Sequence, residues 1–170
     1  MKLRNLKITD AENMLEWMHD EELCAHMQAD FASKSIEDCL NFIKSSSLDP
    51  HYVHFAVADD DDAYMGTVSL KNIQFEEGVA EFGIVVRRCA MGKGFAQFGM
   101  KEIIRYAFEQ LQLKSVVWCV SKFNLRANKF YIKNHYSLIT EGVPKPIQEK
   151  YEGVENLVWF GINRDEFQGF

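Results

Sequence analysis

The largely apolar run from Val79 to Val86 reads as a buried strand with Ala80, Phe82, Ile84 and Val86 on one side. Glu81, Gly83 and Val85 fall on the other. Immediately downstream the period changes. Ala96, Met100, Ile103, Ile104, Ala107, Phe108 and Leu111 recur at helical spacing over Gly94 to Gln110, while Lys101, Glu102, Arg105 and Glu109 point to water. Ser115 to Val120 is then a nearly continuous apolar run, as expected of a strand covered on both faces. Strand, helix, strand in this order predicts a right-handed crossover with the two strands parallel.

The flanks are read the same way. Leu3 to Ile8 alternates as a first strand, and Thr9 or Asp10 caps a helix whose Ala11, Met14, Leu15 and Met18 share a face. Glu21 to Ala32 has no clear period. Ser35 with Asp38 three residues on opens a second helix carrying Ile36, Leu40 and Ile43, ended by Ser45-Ser46-Ser47 and Asp49-Pro50. Tyr52 to Ala58 and Met65 to Leu70 are strands around the acidic run Asp59 to Asp62. Four adjacent carboxylates cannot all turn toward one ion, so that run is expected to be a solvated hairpin tip. Glu76-Glu77-Gly78 is a further turn. Asn124 to Asn134 is a short aromatic-rich helix, Leu138 to Thr140 and Leu157 to Ile162 are closing strands, and Gly142 to Gly153, with Pro144 and Pro146, is a loop. There is no internal repeat or linker. The expectation is one α/β (α+β) domain over residues 1–170.

Composition narrows the function classes. The chain has 170 residues, 47% of them hydrophobic, enough for a core and too many for a disordered chain. A net charge of −6 argues against nucleic-acid binding, which draws on clustered lysine and arginine. Cys24, Cys39, Cys89 and Cys119 form no C-x-x-C pair, and no histidine stands at ligand spacing, so neither a metal nor a disulfide framework is expected. No apolar run is long enough to span a membrane, and Lys2, Arg4 and Lys7 interrupt any signal-peptide core. The expected location is the cytoplasm, without membrane or nucleic-acid partners.

Candidate chemistry starts at Gly92-Lys93-Gly94. Two glycines around a lysine at a strand-to-helix junction let backbone N–H groups surround an anion, and the helix N-terminus adds its partial positive charge. Lys93 lies between the glycines and Phe95 follows the second, so the nucleotide-triphosphate loop G-x-x-x-x-G-K-[ST] is absent. A third glycine at dinucleotide-fold spacing is also missing, although Gly99 comes close. A second element is the set Asn124, Ala127, Asn128 and Tyr131, spaced i, i+3, i+4, i+7 on one helix face. Two amides and a phenol on one face need partners. The alternative is that Asn124 caps the helix and Tyr131 packs at the core edge.

These residues together resemble the GCN5-related N-acetyltransferase superfamily, in particular its branch similar to ribosomal-protein and diamine acetyltransferases. The likeness rests on Glu81-Phe82-Gly83-Ile84-Val85-Val86, Gly92-Lys93-Gly94-Phe95-Ala96, Tyr106-Ala107-Phe108 with Leu111 to Leu113, and Asn124 to Lys133, covering roughly residues 64 to 140. The resemblance implies a mixed, mostly antiparallel twisted sheet with a splayed parallel strand pair and about four flanking helices. It implies acetyl-CoA as donor and no metal. The backbone of Ile84, Val85 and Val86 would take the pantetheine arm, and the amides of Met91, Gly92, Lys93, Gly94, Phe95 and Ala96 the pyrophosphate. Asn124 and Asn128 would lie along the arm, and Tyr131 would protonate the leaving thiolate. Two positions depart from the family pattern. Cys89 stands where glutamine or arginine is common, with Arg88 beside it, and His135-Tyr136 replaces glycine-phenylalanine.

A primary amine must lose a proton before it attacks a thioester, and Glu81 on the cofactor strand is the leading base, with an ordinary paired carboxylate as its alternative. His26 is a weaker candidate. Cys89 has no partner acid or histidine nearby to make it a nucleophile. Trp17, Trp118 and Trp159 could line an acceptor pocket or pack in the core. The expected activity is direct acetyl transfer to a polyamine, an amino sugar or a peptide N-terminus, with a homodimer allowed. The competing readings are a non-catalytic CoA sensor on the same fold and, lacking its phosphate-loop residues, a kinase.

Overall fold

A computed structural model describes residues 1–167. The last three residues of the expected 1–170 domain lie outside them. Seven strands form one sheet in the order β1-β2-β3-β4-β5-β7-β6: β1 (Lys2–Asn5), β2 (Val53–Ala58), β3 (Tyr64–Gln74), β4 (Val79–Val86), β5 (Ser115–Ser121), β6 (Ser137–Ile139) and β7 (Leu157–Asn163). β1 pairs antiparallel with β2, β5 with β7, and β6 with β7. The crossover pair β4 and β5 is parallel, as the period change predicts. Among the described residues there are six α-helices, two of them only four residues long: α1 (Ala11–Met18), α2 (Glu21–Cys24), α3 (Ile36–Ser45), α4 (Phe95–Glu109), α5 (Leu125–Lys133) and α6 (Lys145–Gln148).

Contacts divide the chain into two compact units. The first comprises Met1–Ser69 and Ile84–Ile103. The second comprises, of the described residues, Leu70–Gly83 and 104–167.

In the first unit, α1 and α3 bury one stripe each. Ala11, Met14, Trp17, Met18, Cys39 and Ile43 pack with Ala56 and Tyr64 into a common core. α3 begins with a capping box, Ser35 Oγ accepting from the Asp38 N–H while the Asp38 carboxylate accepts from the Ser35 N–H, a device that contributes about 1 kcal/mol. The Trp17 indole N–H donates to the Tyr64 hydroxyl at 3.0 Å, which shares a proton with Thr67 at 2.7 Å, so this buried polar chain is satisfied internally.

Asp10 does not cap α1 with its side chain. Its carboxylate accepts from Arg4 at 2.7 and 2.9 Å and from the Lys7 N–H at 2.8 Å. The acidic run is likewise not simply solvated. Asp62 takes ion pairs from Lys7, from Lys2 at 3.1 Å and from Arg4 at 2.9 Å, which hold its carboxyl well below the usual range. Lys2 and Arg4 of β1, with Lys7 just beyond it, thus hold Asp62 in place, while Asp60 and Asp61 stay exposed as a solvated tip.

Gly99 serves helix packing. A Cβ there would stand 2.8 Å from Val57 Cγ2 and 3.1 Å from Ile84 Cδ1. Both obstructions are ends of side chains, which can shift. Gly99→Ala is therefore expected to cost about 1 kcal/mol in urea unfolding and to leave the fold intact.

In the second unit, β5 presents Trp118 to an aromatic cluster. Phe82 meets it edge-on at 5.4 Å, Tyr136 edge-on at 5.2 Å, and Phe160 stacks at 6.0 Å. A smaller core of Val79, Val117 and Ile147, with Trp159 against it, seats α6. The segment read as a plain loop thus contains α6 and a 3-10 turn, Glu149–Tyr151. Pro144 and Pro146 flank its start, where proline is compatible with a helix because the first N–H groups are unpaired anyway. The unit also has no helix break at Gly142 or Gly153, whose positive φ values fall outside α6.

Candidate active site

β4 changes character halfway. Val79 to Phe82 are buried, whereas Gly83 to Val86 are half-exposed, and the β4–β5 ladder runs only from Val79↔Ser115 to Glu81↔Val117. β5 continues to Ser121 paired with β7. The ladder to β5 therefore stops before the stretch Ile84, Val85 and Val86 is reached.

In the first unit that stretch leads into the glycine turn. The Arg87 N–H donates to Met65 O at 2.8 Å, and a 3-10 turn over Arg88–Ala90 follows. Gly92 and Gly94 have φ of +75° and +88°, a region costly for other residues. A Cβ on Gly92 would meet nothing within 4 Å, and one on Gly94 only a methionine tip at 3.8 Å. The glycines are thus required by backbone conformation and not by crowding, and they leave open space beside the turn. Gly92, Lys93 and Gly94 are exposed. The 15-residue α4 starts with Phe98 N–H donating to Gly94 O, so the amides of Phe95, Ala96 and Gln97 lack helical acceptors, whereas the Met91 and Lys93 N–H groups donate within the turn to Arg88 O at 3.2 Å and Ala90 O at 3.4 Å. Open space, uncapped donors and a helix dipole fit a phosphate group.

Arg88 does not stand in for the residue replaced by Cys89. Its guanidinium is held by Asp20 at 2.7 and 2.8 Å and by Glu22 at 3.0 Å, and it draws the Asp20 carboxyl down to about 2. Asp20 also caps α2 through the Leu23 N–H, so Arg88 fastens the turn to the helix that sequence periodicity did not reveal. Cys89 is exposed, as is His26 just after α2.

In the second unit, Tyr131 of α5 is buried to 8% exposure. Its ring lies 5.3 Å from Trp118 and 5.1 Å from Phe160. Burial, then the neighbouring Cys119 and Tyr136, push its phenol above the ordinary tyrosine range, and no hydrogen bond contributes. The Trp118 indole N–H in the same cluster is fully buried without a partner. Asn124 caps α5, its Oδ1 accepting from the Ala127 N–H at 3.1 Å. Asn128 spends its amide hydrogens on Ser121 O at 3.0 Å and Asn124 O at 2.8 Å, tying α5 to the end of β5. Asn124 therefore fills the capping role, and Asn128 keeps only its side-chain oxygen free of these bonds.

Glu81, 2% exposed, anchors a separate polar cluster. Its Oε1 accepts from Lys71 Nζ at 2.6 Å and from the Tyr151 hydroxyl, and its Oε2 accepts from Asn72 Nδ2 at 2.5 Å. Lys150 donates to Asn72 Oδ1. The Lys71 stem runs over Gly83, where a Cβ would stand 3.3 Å from its Cε. Nothing in the sequence pattern links Lys71, Asn72 and Tyr151 to Glu81. The residues that hold the carboxylate come from β3 and from the α6 segment.

Residues 1–137 match the acetyltransferase (GNAT) domain family. The chain belongs to the GNAT acetyltransferase family. This acyltransferase is 29% identical over 144 residues to acetyltransferase PseH of Campylobacter jejuni, which covers 83% of this chain and 87% of that protein. It is 26% identical to the uncharacterized N-acetyltransferase p20 of Bacillus licheniformis, over 99% of this chain and 96% of that one. The crystal structure of spermidine N-acetyltransferase from Vibrio cholerae in complex with CoA and spermine shares its fold, with a TM-score of 0.79 at 20% identity over 97% and 96% of the two chains. Among the described residues of the acyltransferase, no helix is long and apolar enough to cross a membrane, and no group of His, Cys, Asp or Glu could hold a metal ion.

Proposed function

We propose that this chain transfers an acetyl group from acetyl-CoA to a primary amine by direct attack, without an acyl-enzyme. The observation that carries the reading is the Gly92–Gly94 turn, whose positive φ values and open flank leave the amides at the start of α4 uncovered. Acetyl-CoA supplies the activated acyl carbon. The amides of Gly92, Gly94, Phe95 and Ala96 hold its pyrophosphate, those of Met91 and Lys93 joining only by giving up their bonds within the turn, and the half-exposed backbone of Ile84, Val85 and Val86 receives the pantetheine arm as an added strand. The Asn124 side chain, through its N–H2 group, and the Asn128 oxygen contact the same arm. A backbone N–H at Val85 polarises the thioester carbonyl. Tyr131 donates its hydrogen to the departing sulfur, and Glu81 takes the proton of the acceptor.

The acceptor class is a primary amine of a polyamine, an amino sugar or a peptide N-terminus. Asp20 and Glu22, which could attract a polycation, share the single positive charge of Arg88, so their combined charge is halved and not removed. Calorimetric titration with acetyl-CoA tests the first half of the reading, and thiol release across polyamines, amino sugars, aminoglycosides and peptide N-termini tests the second. We expect binding and release with at least one amine. No binding at high micromolar acetyl-CoA overturns the reading. Binding without release on any amine favours a CoA sensor, the reading for which Cys89 leaves room.

A further inference from the structure

We propose that Tyr151 is the proton relay of the acceptor site, passing the acceptor's proton to Glu81. The inference rests on the transferase reading above and adds to it the residue that meets the incoming ammonium.

The Glu81 carboxylate is nearly closed off, with its side chain 3% exposed and three donors on its two oxygens. A proton reaches it only through one of those donors. Asn72 is buried to 7% exposure, and its amide nitrogen has no lone pair with which to take up a replacement proton. Lys71 is a cation that would repel an ammonium ion and has no acceptor site either. Tyr151 is different on both counts. It is half-exposed, neutral, and able to accept at its oxygen while donating its own hydrogen.

The relay balances without any co-reactant. The acceptor's N–H⁺ bond breaks as its proton forms a new O–H bond at the Tyr151 oxygen. The original Tyr151 O–H breaks and its proton passes to Glu81 Oε1. The amine is left neutral with a free electron pair, Tyr151 is a phenol again, and Glu81 holds the proton until product leaves.

Several features keep this arrangement in place. The ring of Tyr151 stands edge-on to Trp159 at 5.5 Å, which fixes its direction. The adjacent Lys150 bonds Asn72, so two consecutive residues of the 3-10 turn strap the segment to the sheet face. Asn72 adopts φ +51° inside β3, a conformation asparagine tolerates better than most residues. The titratable groups facing the Tyr151 hydroxyl are Glu81 of β4, Lys71 of β3 through that carboxylate, and Cys119 of β5, whose thiol burial pushes up to about 12. Burial and the Glu81 carboxylate also raise the Tyr151 phenol, so it stays protonated and ready to donate throughout the neutral range.

The test compares wild type with Tyr151→Phe, using acetyl-CoA and three acceptors: spermine, ethylamine and trifluoroethylamine. The first two are ammonium ions at neutral pH, whereas the fluorines keep the third a free amine. Tyr151→Phe is expected to lower kcat/KM about 100-fold toward the ammonium acceptors, and less than about threefold toward trifluoroethylamine. The residual rate with ethylamine should climb about tenfold per pH unit, following the free-amine fraction, while the acetyl-CoA Kd is unchanged. Equal losses on all three acceptors, or no loss, overturn the relay. Glu81→Gln, which retains the shape and cannot take the proton, should show the same selectivity and serves if Tyr151→Phe fails to fold. Wild type that binds acetyl-CoA yet acetylates none of the three overturns this inference, and the broader amine panel then decides whether the transferase reading falls with it.

Discussion

Tyr131→Phe is expected to lower kcat about 100-fold, with acetyl-CoA affinity held within about twofold. Phenylalanine keeps the ring and therefore the contacts at 5.3 Å to Trp118 and 5.1 Å to Phe160. Only the hydroxyl is lost. That hydroxyl sits on a residue 8% exposed and draws on no hydrogen bond, so its removal leaves no protein group stranded and the fold does not suffer. Because burial lifts its pKa, the proton remains on the oxygen at every physiological pH. Tyr131 itself then imposes no alkaline fall on kcat below about pH 10. Steady-state kinetics with calorimetry separates the outcomes. A parent-like kcat removes Tyr131 from the proposed chemistry, and a loss confined to affinity makes it a wall of the cofactor site.

How far the sequence could be read depended on the range of each interaction. β4 is legible to its ends because a short apolar run between the Glu76-Glu77-Gly78 turn and Arg87-Arg88 is a local signal, and the capping box of α3 because Ser35 and Asp38 are three residues apart. α2 leaves no signature in the sequence because four residues cannot display a helical period. Its cap, Asp20, was one acidic residue among several, and its fastening by Arg88 lies 68 residues away. The prolines of the 142–153 segment suggested a loop, whereas Pro144 and Pro146 sit where a helix start tolerates them. The same distance problem hid the surroundings of Glu81. Its identity as a polar residue on a buried strand was plain, but Tyr151 is 70 positions downstream, and only the fold brings the two together. Of the candidate residues, the glycines of the turn were the most legible. A backbone φ requirement leaves its mark in residue type, whereas a hydrogen bond between distant side chains does not.

Gly66→Ala is expected to be the most damaging single methyl group in the first unit. Gly66 carries no positive φ, so alanine is acceptable to its own backbone. The obstacle is β4. A Cβ at position 66 would lie 2.3 Å from Val85 O, 2.9 Å from Val86 Cα and 3.0 Å from Val86 Cγ1. At Gly99 the obstructing atoms are side-chain ends that can turn aside, but here two of the three are backbone, and the strand itself must move. Overpacking of this kind costs about 2 to 3 kcal/mol, against about 1 for Gly99→Ala. The residues displaced are Val85 and Val86, the strand proposed to receive the pantetheine arm. Stability and affinity should therefore fall together: a lower urea midpoint, and an acetyl-CoA Kd raised more than about tenfold, since moving the strand by an ångström misplaces the N–H and C=O groups that meet the arm. Gly99→Ala, which presses on the Ile84 side chain without touching β4 backbone, should lose stability with much less change in affinity. If Gly66→Ala binds acetyl-CoA as tightly as its parent while its stability falls, the arm does not depend on Val85 and Val86, and the pantetheine site must be sought elsewhere on the chain.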